Sequence, residues 1–174
     1  MPLIKERRVA VADPWIAVAD GDALPADAAA IVSAARWAAE REALLGRNAP
    51  LDVRLKPDQG PETIVADLDR LALVAVEFPA YTDGRGYSTA RLLRERYGFT
   101  GELRAVGNVL RDQLAFMARC GFDAFEYAGK TPVEQALAAF DEISVVYQTA
   151  ADRRRSAATE RSDRSRVFLN GTCG

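Results

Sequence analysis

The chain has 174 residues, 49% hydrophobic and 28% charged, with a net charge of −2; this suits a soluble domain with a real core and does not suggest nucleic-acid binding. It contains no histidine and only two cysteines, which excludes Ser-His and Cys-His nucleophiles, imidazole metal sites, a disulfide framework and zinc-spaced cysteine pairs. No apolar run reaches the ~20 residues of a membrane span and no signal-peptide pattern opens the chain, so a cytoplasmic protein is expected.

Residues 1–20 alternate loosely through VAVA, Asp13-Pro14 and WIAVAD, as two short strands around a turn would. AAAIV at 28–32 reads as a short buried strand, with Ser33 capping a helix that stops near Gly46; one longer helix from near Asp27 is the alternative. LDVRL at 51–55 alternates like a half-buried strand. Lys56 to Gly60 reads as a loop. Pro61 then opens a helix in which Ile64, Val65, Leu68 and Leu71 repeat at helical spacing. Residues 73–78 are apolar apart from Glu77, as in a strand covered on both faces.

The loop 79–87 follows. Ser88 is placed to cap TARLLRERY, with Arg91 and Glu95 paired at i,i+4 and Gly98 as the stop. ELRAVG at 102–107 is the next strand, and Asn108 is placed to cap the helix VLRDQLAFMARC. FDAFEY at 122–127 is the last strand, and Thr131-Pro132-Val133-Glu134 has the form of a capping box. After about Thr149 the apolar periodicity stops. From Ala151 to Gly174 there are six arginines and three acids. Residues 1–149 therefore read as a single α/β domain and 150–174 as a mobile basic tail.

Strands alternating with helices predict a parallel sheet of four to five βα units with a short N-terminal β extension, either an open sheet or a partial (β/α) barrel. Such sheets bind ligands beyond the carboxyl ends of their strands. Here those ends are the loops 56–60, 79–87, 107–108 and 128–130. Their polar groups are Lys56, Asp83, Arg85, Tyr87, Ser88, Asn108 and Lys130, with Arg111 one turn further on. Gly84 and Gly86 would let backbone N–H groups approach a ligand, the following helix would turn its positive end toward it, and Arg85 would supply a planar fork for an oxyanion. The same residues also suit a plain turn in which Arg85 pairs with Asp83. Cys120 reads as a small core side chain and Trp37 as core or interface. The arginines at 91, 94, 96, 104, 111 and 119 read as solvated surface.

The stretch FPAYTDGRGYSTARLLRERYGFTGELRAVGNVLRDQLAFMARCGFDAFE resembles the bacterial domain-of-unknown-function 934 family. The segments TDGRGYS, LRER, GELRAVG, RDQL and RCGFDAFE carry the resemblance. ARW at 35–37 and LDVRL also fit, and the likeness runs from about Trp15 to Tyr147. Members are commonly encoded beside assimilatory sulfite reductase. The resemblance implies an accessory protein of sulfur assimilation that acts with siroheme sulfite reductase, through an anion-binding site after the strand 73–78. It implies no reaction and names no cofactor, since no siroheme or iron–sulfur motif is present. Asn108 stands where the family is expected to favour aspartate, which argues against acid–base work there. The alternative is a small independent enzyme acting on a phosphorylated or sulfur-containing metabolite, with Asp83 or Glu126 as the base and Arg85 as the anion clamp. Cys173, next to last, reads as part of a tail without a role; the alternative is a sulfur-carrying arm, as in the swinging-arm partner of dissimilatory sulfite reductase.

Overall fold

The structure, a computed structural model, describes residues 1–142 together with 147, 150, 151, 156, 157 and 159. Cys173 and most of the basic tail therefore lie outside the described residues. The chain opens with a hairpin of β1 (Leu3–Lys5) and β2 (Arg8–Val9). Its two-residue turn places Glu6 and Arg7 at φ 50 and 61, the left-handed pair that a tight hairpin demands. Six further strands follow: β3 (Trp15–Ala17), β4 (Ala29–Ser33), β5 (Leu51–Leu55), β6 (Leu73–Phe78), β7 (Glu102–Val109) and β8 (Ala124–Tyr127).

β3 to β8 lie side by side in sequence order and run parallel. β1 adds antiparallel to β8, and β2 to β1. The sheet thus has eight strands in the order β2-β1-β8-β7-β6-β5-β4-β3 and is mixed, not purely parallel. The two N-terminal strand regions do not pair with each other, as the turn at Asp13-Pro14 suggested. They take opposite edges.

That placement requires curvature. Seven inter-strand steps would separate flat edges by about 34 Å. The link from Val9 to Trp15 spans at most about 22 Å when fully extended. The sheet is accordingly an open, curled half-barrel, and residues 10–14 strap one edge to the other.

Right-handed crossovers between sequential neighbours put the helices on one face. These are α1 (Ala34–Leu45), α2 (Arg85–Arg91) continuing into a π turn (Leu92–Arg96), α3 (Arg111–Arg119), and α4 (Val133–Ala136) continuing into a 3-10 turn (Leu137–Phe140). The core lies between them and the outward side chains of the strands. Val32, Val53, Val74, Leu103 and Phe125 pack there against Trp37, Leu93, Leu114, Met117 and Phe140. The opposite, inner face carries a smaller apolar cluster of Ile31, Leu73, Ala75 and Val106 beside Trp15.

Several local expectations change. Ser33 does cap α1, its Oγ accepting the Arg36 N–H at 3.0 Å. The helix expected after Pro61 is two 3-10 pieces, Pro61–Thr63 and Val65–Arg70. α2 begins at Arg85, so Ser88 lies inside it; Asp83 Oδ1 accepts the Arg85 N–H at 3.2 Å instead. Asn108 belongs to β7, and the first residue before α3 is Leu110, whose N–H donates to Gln113 Oε1 at 3.0 Å. No capping box forms at Thr131, whose hydroxyl pairs with that of Tyr127.

Candidate functional site

The carboxyl ends of β5, β6 and β7 bring loops 56–60 and 79–84 to the start of α3. Phe78, fully buried, ends β6 and organises this rim. Tyr87 packs on Phe78 with ring centroids 5.2 Å apart, and Phe116 of α3 packs edge-on against Tyr87 at 5.0 Å. Phe116 nevertheless stays 53% exposed and Tyr81 52% exposed, so the rim shows an aromatic surface. Asp112 beside the Tyr81 hydroxyl raises its pKa; burial raises that of Tyr87, against Gln113.

Arg85 turns its fork onto Asp83, with Nε to Oδ1 at 3.0 Å and Nη2 to Oδ2 at 2.7 Å. This hydrogen-bonded pairing lowers the Asp83 pKa and raises that of Arg85. The two glycines differ. Gly84 has φ −90, ordinary for any residue. Gly86 is buried, and a Cβ there would lie 2.6 Å from the Phe78 ring. Gly86 therefore serves helix–strand packing, not backbone approach to a ligand. Arg111 is paired with Glu142. Lys56 and Lys130 are exposed.

Asn108 sits in an irregularity. Ala105 pairs with Phe125 and Val109 with Tyr127, so three residues of β7 lie opposite Glu126 alone. Gly107 makes this bulge with φ +92, a conformation that favours glycine. Among the described residues the Asn108 side chain has no hydrogen-bond partner.

Glu126 points elsewhere than Asp83. It lies on the inner face, where β5 to β8 place a charged layer that the residue-by-residue reading missed. Arg104, expected on the surface, is 1% exposed. It binds Asp13 of the strap through Nη1 at 2.6 Å and Nη2 at 3.0 Å. Its Nη2 lies 2.7 Å from Glu102, and its Nη1 3.7 Å from Glu126. Lys5 bonds Glu102 at 2.6 Å, and Arg54 faces Glu77 at 3.6 Å. Burial opposes the Arg104 charge, but Asp13 and Glu102 outweigh it and raise its pKa; Arg104 in turn lowers that of Asp13 against its own burial. A signal for this layer was present. Asp52 and Arg54, Glu77, Glu102 and Arg104, and Glu126 all fall on one parity of their strands, hence one face.

The candidate residues thus fall into two groups. Asp83, Arg85 and Tyr87 belong to the rim, and Glu126 to the inner face. Asp83 and Glu126 sit in separate ion pairs. Among the described residues, no group of three or more Asp, Glu or Cys side chains is arranged to hold a metal ion. No helix among them is long and apolar enough to cross a membrane.

The pattern of the bacterial proteins of unknown function designated domain of unknown function 934 matches residues 52–158, more than half of the chain. The chain belongs to this family. The family region begins in β5 and takes in the rim, the bulge and most of the inner-face charges; Asp13, the strap and β1 to β4 precede it. No curated protein matches the chain.

Proposed function

We propose that this member of family 934 is an accessory protein of sulfur assimilation, acting with siroheme sulfite reductase through the rim after β6. The observation that carries this reading is the rim itself. Tyr81, Tyr87, Phe116 and an exposed Arg85 stand together on a rigid helix–strand base, and tyrosine and arginine are residue types that dominate recognition surfaces. The pathway comes from the resemblance of residues 78–126 to proteins encoded beside assimilatory sulfite reductase. Asp83 holds Arg85 in a bidentate ion pair, so an oxyanion or a partner carboxylate would bind there by exchange for Asp83.

Co-purification of the chain with the sulfite reductase of the same organism tests this, alongside growth of a deletion strain on sulfate, sulfite or sulfide. Association, and rescue by sulfide alone, is expected. Absence of association together with normal growth on sulfite removes the reading.

A second reading is a small independent enzyme acting on a phosphorylated or sulfur-containing metabolite. Glu126 beside a buried guanidinium on the inner face supports it, whereas the separation of Glu126 from Asp83 and Arg85 counts against it. Turnover by the isolated protein, lost in Glu126→Gln, distinguishes it from the first.

A further inference from the structure

The two edges of the sheet are defended unequally. At β2 stand Glu6, Arg7 and Arg8, all exposed, and charged side chains are a usual means of keeping an edge strand from pairing with another chain. β3 has none. From Val9 to Ala19 the chain carries one charged side chain, Asp13, and Arg104 already holds it. Within this stretch Val11 is fully exposed and Ile16 is 48% exposed. Trp15 joins the inner apolar cluster, so strand alternation turns Ile16 to the other face. β3 pairs with β4 on one side only. The Val18 N–H donates to the Ile31 carbonyl at 2.9 Å, so its neighbour Ala17 turns both its N–H and its C=O away from β4. Ala17 is exposed, and among the described residues no other strand meets that side.

We infer that β3 is a dimer interface at which two copies of this chain pair antiparallel, with Ala17 on the twofold axis. In an antiparallel pair, two directly opposed residues exchange both of their hydrogen bonds. Ala17 offers one donor and one acceptor on the open side, so two copies satisfy each other there, as an isologous contact requires. In this register Ile16 meets Val18 of the partner subunit. Pro14, which has no N–H, falls opposite Asp20 of the partner subunit and ends the pairing. Charge selects both the partner and the direction. An uncharged edge meets its own copy without like-charge cost, and it carries nothing with which to select an acidic or basic foreign strand. Asp20 and Asp22 follow β3. Antiparallel pairing sends these acids of the two copies to opposite ends of the interface, where parallel pairing would set them side by side. The rim after β6 takes no part, so this inference is independent of the function proposed for it.

Sedimentation velocity on the full chain, up to about 100 µM, tests this. A dimer at the upper end of the range is expected. Ala17→Pro removes the outward N–H without touching β4, and Ile16→Lys gives β3 the kind of charge that β2 already has. Each is expected to weaken the dimer by at least about tenfold while circular dichroism keeps the wild-type fold. In a Cys173→Ser background, Ala17→Cys is expected to form an intermolecular disulfide on mild oxidation. An opposed hydrogen-bonded pair sets its Cα atoms about 5.5 Å apart, within disulfide reach. Arg8→Cys, on the charged edge, is the control expected to stay reduced. A wild-type chain that is monomeric at about 100 µM overturns the interface, and so does a dimer that Ile16→Lys leaves intact. Cross-linking through Arg8→Cys but not through Ala17→Cys places the contact at the other edge and overturns it as well.

Discussion

Asp13 and Arg104 stand 91 residues apart in sequence and meet in a two-pronged ion pair, 2.6 and 3.0 Å, on the inner face of the sheet. One comes from the strap that joins the two sheet edges, the other from the middle of β7. The pair therefore fastens the strap over the curl. Asp13→Ala leaves Arg104 with Glu102, so the loss is expected to fall below the ~3–5 kcal/mol of a fully broken buried pair, at about 1–3 kcal/mol. Arg104→Ala leaves Asp13, Glu102 and Glu126 without their shared cation and opens a cavity, for about 3–5 kcal/mol. Urea unfolding of both variants measures this; an Asp13→Ala variant as stable as wild type would show that the strap contact is not what Arg104 is held for.

Asp52 supplies a pH dependence. It is 1% exposed, its Oδ1 accepts the Ala72 N–H at 2.9 Å, and its Oδ2 has no partner. Burial raises its pKa to about 6. A carboxyl raised above its unfolded value binds its proton more tightly in the folded state. Asp52 therefore favours folding increasingly as pH falls from above 6 toward 4, by at most about 3 kcal/mol. Asp52→Asn keeps the acceptor for Ala72 and cannot titrate. The difference between wild type and variant, followed by urea midpoints from pH 4 to 8, is expected to change in that window. A constant difference would show that Asp52 titrates normally.

Gly86 and Gly84 are expected to part company under substitution. A Cβ at Gly86 collides with the buried Phe78 ring, whereas at Gly84 the nearest atom, on Tyr87, is 3.7 Å away. Gly86→Ala is expected to cost about 1–3 kcal/mol through overpacking, and Gly84→Ala to leave the melting temperature nearly unchanged. Thermal melts of the two variants decide; equal tolerance would mean α2 shifts freely on β6.

Arg85→Ala removes an exposed ion pair and no core volume. Its melting temperature is expected to match wild type, while the binding of sulfite reductase proposed for the rim is expected to weaken. A severe fall in melting temperature with binding unchanged would make Arg85 structural.

Much of this architecture was written locally. Ser33 caps α1 because its own hydroxyl reaches the Arg36 N–H three residues on, a contact needing no distant partner. β5 and β6 were legible because alternation at 51–55 and an apolar run at 73–78 report burial directly. Arg91 and Glu95 pair as helical spacing dictates, at 3.1 Å. The sequence by itself thus determined the βα order, most strand positions and the end of the sheet where loops 56–60 and 79–87 gather.

The fold decided the rest. Period-two alternation assigns Arg104 to a face but not that face's cover, which comes from a strap more than eighty residues away. The β1–β2 turn uses Glu6 and Arg7 at positive φ, without the Asn-Gly or Asp-Gly pair that marks such turns, so its hairpin gave no local sign. Ser88 and Asn108 looked like caps because capping types occur at the right distance from apolar helices. Asp83 and Gln113 took those roles, once Phe78 drew Gly86 inward and a bulge at Gly107 lengthened β7. Local propensity fixes which segments form, but the partner of each charge depends on the curl of the sheet, which is set by a link too short to span it flat.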